Sequence, residues 1–275
     1  MNHIKKFFGF MLLLILLSSI TVLFFAVVEA NPSENTPQIK RDYVAEEQEV
    51  IDLMHSAVKK DFDQVDISKF QYSKHDVEKM VEYYSYEYPE TALHYLVYDI
   101  IRNDSHNTSI ATIKFYPNQK NNAKQYEEKI NEWSSGIINQ MPSNFTEKEK
   151  VAWINDHIIK NYEYDTELKS RDLYDMIKTG KGVCTGYTQM FTVLARKSGL
   201  EVSFVVSEPL CHVWNVVKVD GNWYNIDVTW NDSSGQPQAY FLLSDIEMQI
   251  RHEYSKPDAT VTTQYFACES NFFNN

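Results

Sequence analysis

Apolar residues recur at steps of three and four along much of the chain and alternate with polar residues elsewhere, so helices and strands can be placed before any chemistry is considered. Val44, Ile51, Met54 and Val58 share one helical face, and Val77, Met80, Val81 and Tyr84 share another after His75-Asp76. Between Thr91 and Ile101 the residues are strand-formers, and Ala111, Ile113 and Phe115 alternate with polar neighbours beyond the turn-like RNDSHNTS, which predicts a hairpin. Ala123, Tyr126, Ile130, Trp133 and Ile137 then mark a third helix.

The second half is more sharply punctuated. Thr146 and Glu149 read as a capping box, opening a helix whose stripe is Val151, Ile154 and Ile158 and which runs to about Asn161. A shorter helical pattern from Leu173 to Ile177 leads into Thr179-Gly180-Lys181-Gly182, where two glycines let the backbone turn sharply and approach whatever faces Cys184. Tyr187, Met190, Phe191, Leu194 and Ala195 place Cys184 at the start of a helix that Gly199 closes. The macrodipole and free amides at such a terminus favour a thiolate, although a lone cysteine there also serves as a small buried hydrophobe.

EVSFVV is a strand, and Asp220-Gly221 between two further strand-like runs signals a two-residue type I′ hairpin. Counting outward from that loop sets Val219 against Asn222, Trp214 against Asp227 and His212 against Thr229. His212, Trp214, Val216 and Lys218 then share a face with Trp223, Asn225, Asp227 and Thr229, while Val213, Val217, Val219, Tyr224, Ile226 and Val228 form the core side. His212 and Asp227 become diagonal neighbours, roughly 7–8 Å apart at the backbone. An aspartate bound to one imidazole nitrogen fixes the tautomer and leaves the other nitrogen to take a proton from a thiol; a satisfied surface pair is the plainer alternative. Cys211 points to the opposite face, which argues against a catalytic role, and it could pair with Cys268.

Composition narrows the classes. With 275 residues, 43% hydrophobic and 14% aromatic, the chain can bury a full core. Residues 31 onward carry 24 basic and 37 acidic side chains, a balance that argues against nucleic acid or anionic membrane surfaces as partners. Lys5 and Lys6 precede an almost unbroken apolar run from Phe7 to Val28. That pattern predicts either a signal peptide cut after Ala30 or a membrane anchor through residues 7–28, both of which put the body outside the cytoplasm. Residues 31–42 read as a polar, proline-containing linker. Three cysteines are too few for a disulfide framework, and His55, His75, His94 and His106 lack ligand spacing, so no metal and no cofactor are expected. The tyrosines between Tyr83 and Tyr88 suit either a binding platform or packing against neighbouring strands, and Asn103, Asn107, Asn144 and Asn231 head glycosylation sequons.

GVCTGYTQMF, HVWN and NWYNIDVTW together resemble the bacterial transglutaminase-like family, a branch of the papain-like cysteine acyl-transfer fold. The similarity takes in KVAWINDHIIKNYEYD and YFLLSD and covers about residues 140 to 255. It implies an α+β protein with a papain-like core, in which the helix bearing the cysteine packs on an antiparallel sheet. An N-terminal α+β extension over 43–140 precedes a catalytic domain over 141–255, and a tail follows over 256–275. The resemblance also implies Cys184 as nucleophile, His212 as general base and acid, and Asp227 as orienting group. The expected reaction is acyl transfer at amide bonds of a protein or peptide substrate through a thioester, ending in transamidation or hydrolysis. Trp214, Trp223 and Tyr187 are candidates for the wall of a substrate groove, and the two tryptophans serve equally as cover for the hairpin. A cell-surface binding or assembly module with an idle triad is the competing class.

Overall fold

The computed structural model describes residues 43–60, 64–70, 72–91, 98–102, 110–115, 120–207 and 210–252, together with residues 268, 270 and 272. The targeting segment, the linker, most of the tail and the sequons at Asn103 and Asn107 lie outside the described residues. Among the described residues no helix is long and apolar enough to cross a membrane.

The chain from Tyr43 onward forms one unit. Its first elements are α1 (Tyr43–Lys59), β1 (Gln64–Asp66), α2 (Lys74–Glu87), β2 (Tyr98–Arg102) and β3 (Ile110–Phe115). The expected hairpin is present as the antiparallel pair β2–β3, and β1 adds to the other edge of β3. β1 has only three residues, too short for a periodic signal in the sequence. α2 starts on a capping box in which Ser73 and Asp76 satisfy each other's amides. Its tyrosines pack: Tyr83, Tyr84 and Tyr86 are buried, with Tyr83 and Tyr86 against Phe204.

α3 (Lys120–Ile138) and α4 (Glu147–Asn161) follow, and α4 carries the expected Thr146–Glu149 capping box. Ile130 and Ile137 of α3 share one apolar cluster with Val151, Ile154 and Ile158 of α4, so the core extends into the stretch before residue 141. Next come β4 (Glu163–Tyr164), α5 (Leu173–Thr179), β5 (Lys181–Gly182) and α6 (Cys184–Lys197), with β4 and β5 paired in parallel. α6 ends in a full Schellman motif: Gly199 has φ +88°, its amide donates to Arg196 O, and the Leu200 amide donates to Ala195 O. β6 (Val202–Ser207), β7 (His212–Val219) and β8 (Asn222–Ile226) form an antiparallel sheet in that order.

α6 lies against this sheet, and buried polar contacts set its register. Thr188 Oγ1 donates to Val213 O at 3.1 Å, and Asn215 Nδ2 reaches Thr192 Oγ1 at 3.0 Å and Ser203 O at 3.2 Å. Each group is inaccessible to water and would be costly to leave unpaired, so sliding the helix along the sheet is resisted. Two short helices, α7 (Val228–Ser233) and α8 (Asp245–Arg251), complete the described fold.

Candidate active site

The hairpin loop is of the expected kind: Asp220 and Gly221 have φ of +51° and +84°, and Val219 pairs with Asn222. The register follows the count as far as Asn215 against Ile226. There β8 stops, which corrects the expectation that it continues to Thr229 opposite His212. Asp227 turns the chain because its Oδ1 accepts from the Trp230 amide, capping α7, while its own amide donates to Tyr240 O. Thr229 is therefore helical and, among the described residues, no strand faces His212 on that side; on the other side it pairs with Ser207 of β6.

The face of β7 that carries His212 is less apolar in sequence, yet it is covered. Val205, Trp214, Val216, Leu243, Met248 and Cys268 form a separate buried cluster there. Beside it His212 Nε2 meets Asp227 Oδ2 at 2.6 Å, with Asp227 fully buried and His212 9% exposed. Burial pulls the imidazole toward neutrality, but the Asp227 carboxylate and the Cys184 side chain outweigh it and push the His212 pKa up to about 10. Burial likewise disfavours the Asp227 charge, and the two imidazoles on it prevail, holding the carboxyl well below the usual range.

Cys184 opens α6, is half-buried, and is near enough to His212 to help raise its pKa. Since Nε2 belongs to Asp227, Nδ1 is the nitrogen left for the thiol. Two structural details hold Cys184 there. Asp165 accepts from the amides of Ser170, Lys169 and Glu167 at 2.8, 2.9 and 3.0 Å, and Ser170 O in turn accepts from the Val183 amide. Gly180 takes the left-handed cap of α5 at φ +74°, whereas Gly182 is required by packing, because a Cβ there would stand 2.5 Å from Met176 Sδ. Tyr164, paired with Gly182 across β4–β5, flanks the thiol, and burial together with Cys184 pushes its phenol up to about 12.

The other expected site residues divide. Trp214 is 2% exposed and its Nε1 donates to Asn225 Oδ1 at 2.9 Å. Tyr187 has no exposed surface and donates to Asp232 Oδ2 at 2.5 Å. Neither presents a face to a groove: Tyr187 is corrected to a core position, and Trp214 takes the other role open to it, covering the hairpin. Trp223 is half-buried with Lys218 Nζ 6.0 Å from its ring centre. Cys211 is exposed, Cys268 is buried and none of the three cysteines forms a disulfide, so the pairing of Cys211 with Cys268 is absent. Asn231 is also buried, bonded to Asn155 Oδ1 at 2.9 Å, which takes it out of use as a glycan acceptor in the folded chain.

One member was not legible. His252, buried and 25 residues past Asp227, sets its Nε2 3.0 Å from the same Asp227 Oδ2. No spacing rule marks it; only the placement of α8 does. Among the described residues His212, Asp227 and His252 are the group whose ligand atoms cluster tightly enough to hold a metal ion. The 2.6 Å separation of His212 Nε2 from Asp227 Oδ2 is that of a direct charge-assisted hydrogen bond.

A half-buried thiol at a helix start, an imidazole from the neighbouring sheet and a buried carboxylate thus stand together at one place in the fold. Residues 134–228 match the family model of the transglutaminase-like superfamily. The chain's curated relatives include the kyphoscoliosis peptidase of Mus musculus, 28% identical over 121 residues, covering 37% of this chain and 18% of the relative. The Homo sapiens protein of that name is 29% identical over 104 residues, covering 30% and 15%. The matches thus span less than a fifth of those relatives' length. Similar solved structures include a candidate cysteine protease from Cytophaga hutchinsonii, at 20% identity and TM-score 0.31 over 37% of each chain. A structure described as a TGase has 16% identity and TM-score 0.33 over 48% of this chain and 43% of its own.

Proposed function

We propose that the protein catalyses cysteine-dependent acyl transfer at amide bonds of protein or peptide substrates, with Cys184 as nucleophile, His212 as base and acid, and Asp227 as orienting group. The observation that carries this reading is the 2.6 Å contact between His212 Nε2 and Asp227 Oδ2, with Cys184 near enough to the same imidazole to help raise its pKa. His212 takes the thiol proton and Cys184 Sγ attacks the amide carbonyl. The proton passes to the leaving amine as the C–N bond breaks, leaving an acyl-thioester. An incoming amine then gives transamidation, and water gives hydrolysis. The Cys184 amide, at the first helical position where no intrahelical acceptor is available to it, is a suitable donor to the oxyanion. The names of the curated relatives favour hydrolysis. The apolar run from Phe7 to Val28 supports an extracytoplasmic location.

The test incubates casein with the protein and a labelled primary amine, alongside a Cys184→Ala control. Cys184-dependent label on glutamine establishes transamidation, and Cys184-dependent new chain termini establish hydrolysis. If neither forms and Cys184 reacts with thiol reagents no faster than a free cysteine, the reading is wrong.

A further inference from the structure

His252 lies beyond the segment matched by the family model, yet it touches the orienting carboxylate directly. Three donors converge on Asp227. Oδ1 accepts from the Trp230 amide at 3.0 Å, and Oδ2 accepts from His212 at 2.6 Å and from His252 at 3.0 Å. A carboxylate offers only lone pairs, so both imidazoles carry a proton on Nε2. The surroundings of His252 suit a neutral ring. Tyr240 stacks on it at 5.3 Å, Trp230 and Trp214 meet it edge-on at 4.5 and 4.9 Å, and burial pulls its pKa down. Among the described residues, the ionisable groups acting on it include Asp227 and His212, and those acting on His212 include Asp227 and Cys184. One positive charge therefore belongs to the trio, and it resides on His212.

We propose that His252 is a positioning residue: its Nε2–H pins Asp227 Oδ2 so that this oxygen holds His212 Nε2 and turns Nδ1 toward Cys184. The proposal rests on the thiol–imidazole reading above. Rotation of the carboxylate about Cβ–Cγ would move both oxygens, so it would break the Trp230 bond to Oδ1 and the His252 bond to Oδ2 together. Without its donor the contact to His212 loosens, burial of the imidazole is less opposed, and His212 releases its proton at lower pH.

The test uses the full chain and two alkylating reagents of similar size. Iodoacetate is negative and is drawn to a thiol beside an imidazolium, whereas iodoacetamide is neutral. Their rate ratio at Cys184, read by peptide mass spectrometry with exposed Cys211 as internal reference, reports the charge on His212 against pH. In the wild type the ratio stays high and falls toward about pH 10. His252→Phe, which keeps a buried ring without the donor, moves that fall down by about one pH unit. His252→Gln, which restores an N–H donor, brings it back. A His252→Phe profile that coincides with the wild type overturns the proposal, and so does a shifted profile that Gln leaves unrescued. His212→Ala separates the two readings: if it leaves the ratio unchanged, the thiol–imidazole pair itself fails. Should His252→Phe not fold, nitrogen-15 histidine spectra of the wild type decide. The neutral Nε2–H form of His252 at neutral pH supports the proposal, and the Nδ1–H form or an imidazolium overturns it.

Discussion

Trp230 donates its backbone amide to Asp227 Oδ1 at 3.0 Å, so the carboxylate that faces His212 is also the N-cap of α7. The two duties can be separated. Asp227→Asn keeps an oxygen for the cap but offers no charge. His212 then accepts at Nε2 and presents Nδ1–H to Cys184, a tautomer that takes no proton from a thiol. Acylation of Cys184 by p-nitrophenyl acetate is expected to fall by about 10³–10⁴-fold. Asp227→Ala loses the cap as well and is expected to be about 1 kcal/mol less stable than Asp227→Asn in urea denaturation. Equal stabilities for the two variants would show that the cap contributes nothing.

The same pair sets a pH dependence whose sign is determined. His212 is raised from 6.5 to about 10, so its stabilisation is fully present below pH 6.5 and is lost as pH rises through about 10. Asp227 is lowered from 3.8, so its stabilisation is present above pH 3.8 and is lost as pH falls through its folded value. The full contribution of the pair lies between pH 3.8 and 6.5. The stability gap between wild type and His212→Gln, measured by guanidinium denaturation, should therefore be widest near pH 6 and should close by about pH 10. A gap that widens with pH would contradict the assignment of the charge to His212.

What could be read from the sequence was whatever is locally encoded. The Thr146–Glu149 box, the Gly199 terminus and the Asp220-Gly221 turn each depend on a few adjacent residues, and each stands in the fold as expected. Counting pairs from the turn is likewise local and holds to Ile226. It fails one residue later, where a side chain competes with the ladder: Asp227 captures the Trp230 amide, and the β-branched Val228 and Thr229 become helical despite their strand preference. The groove role fails for Tyr187, and the cover role is the one Trp214 takes, because sequence places a side chain on a face without showing what covers it; the cluster around Leu243, Met248 and Cys268 does so for Trp214. His252 reaches Asp227 from 25 residues away, through a tertiary contact with no periodic trace.

A half-buried ion pair joins the N-terminal elements to the cysteine helix, beside the hydrogen bond from Gln189 Nε2 to Ser85 O at 3.1 Å. Arg196 Nη2 bonds Glu87 Oε1 at 2.7 Å, and its Nη1 donates to Glu87 O, joining α6 to the end of α2. Burial raises the pKa of Glu87, and Arg196 opposes the shift. Arg196→Met leaves that carboxylate without its partner and is expected to cost about 2 kcal/mol. Adding Glu87→Gln should recover part of the loss, because the stranded charge goes with it. Urea denaturation of the two single variants and the double variant gives the coupling, and strict additivity would show that the pair is energetically idle.

Gly182, two residues before Cys184, tests whether packing beneath the thiol matters to its placement. A Cβ on Gly182 would lie 2.5 Å from Met176 Sδ and 2.8 Å from its Cγ, and Met176 is fully buried. Gly182→Ala must push Met176 aside within a filled core, at an expected cost of about 1–3 kcal/mol. Met176→Ala alone leaves a cavity, at a cost of about 2–5 kcal/mol. The new methyl group occupies part of that space, so the double variant should be more stable than the two losses summed. Gly186, one turn further along α6, also faces Met176 Sδ, at 3.0 Å, so a displaced Met176 presses on the first turn that carries Cys184. Gly182→Ala is therefore expected to slow acylation of Cys184 as well as to lower stability, and the double variant to restore both. Recovery of stability without recovery of the acylation rate would separate the packing of Met176 from the placement of the thiol.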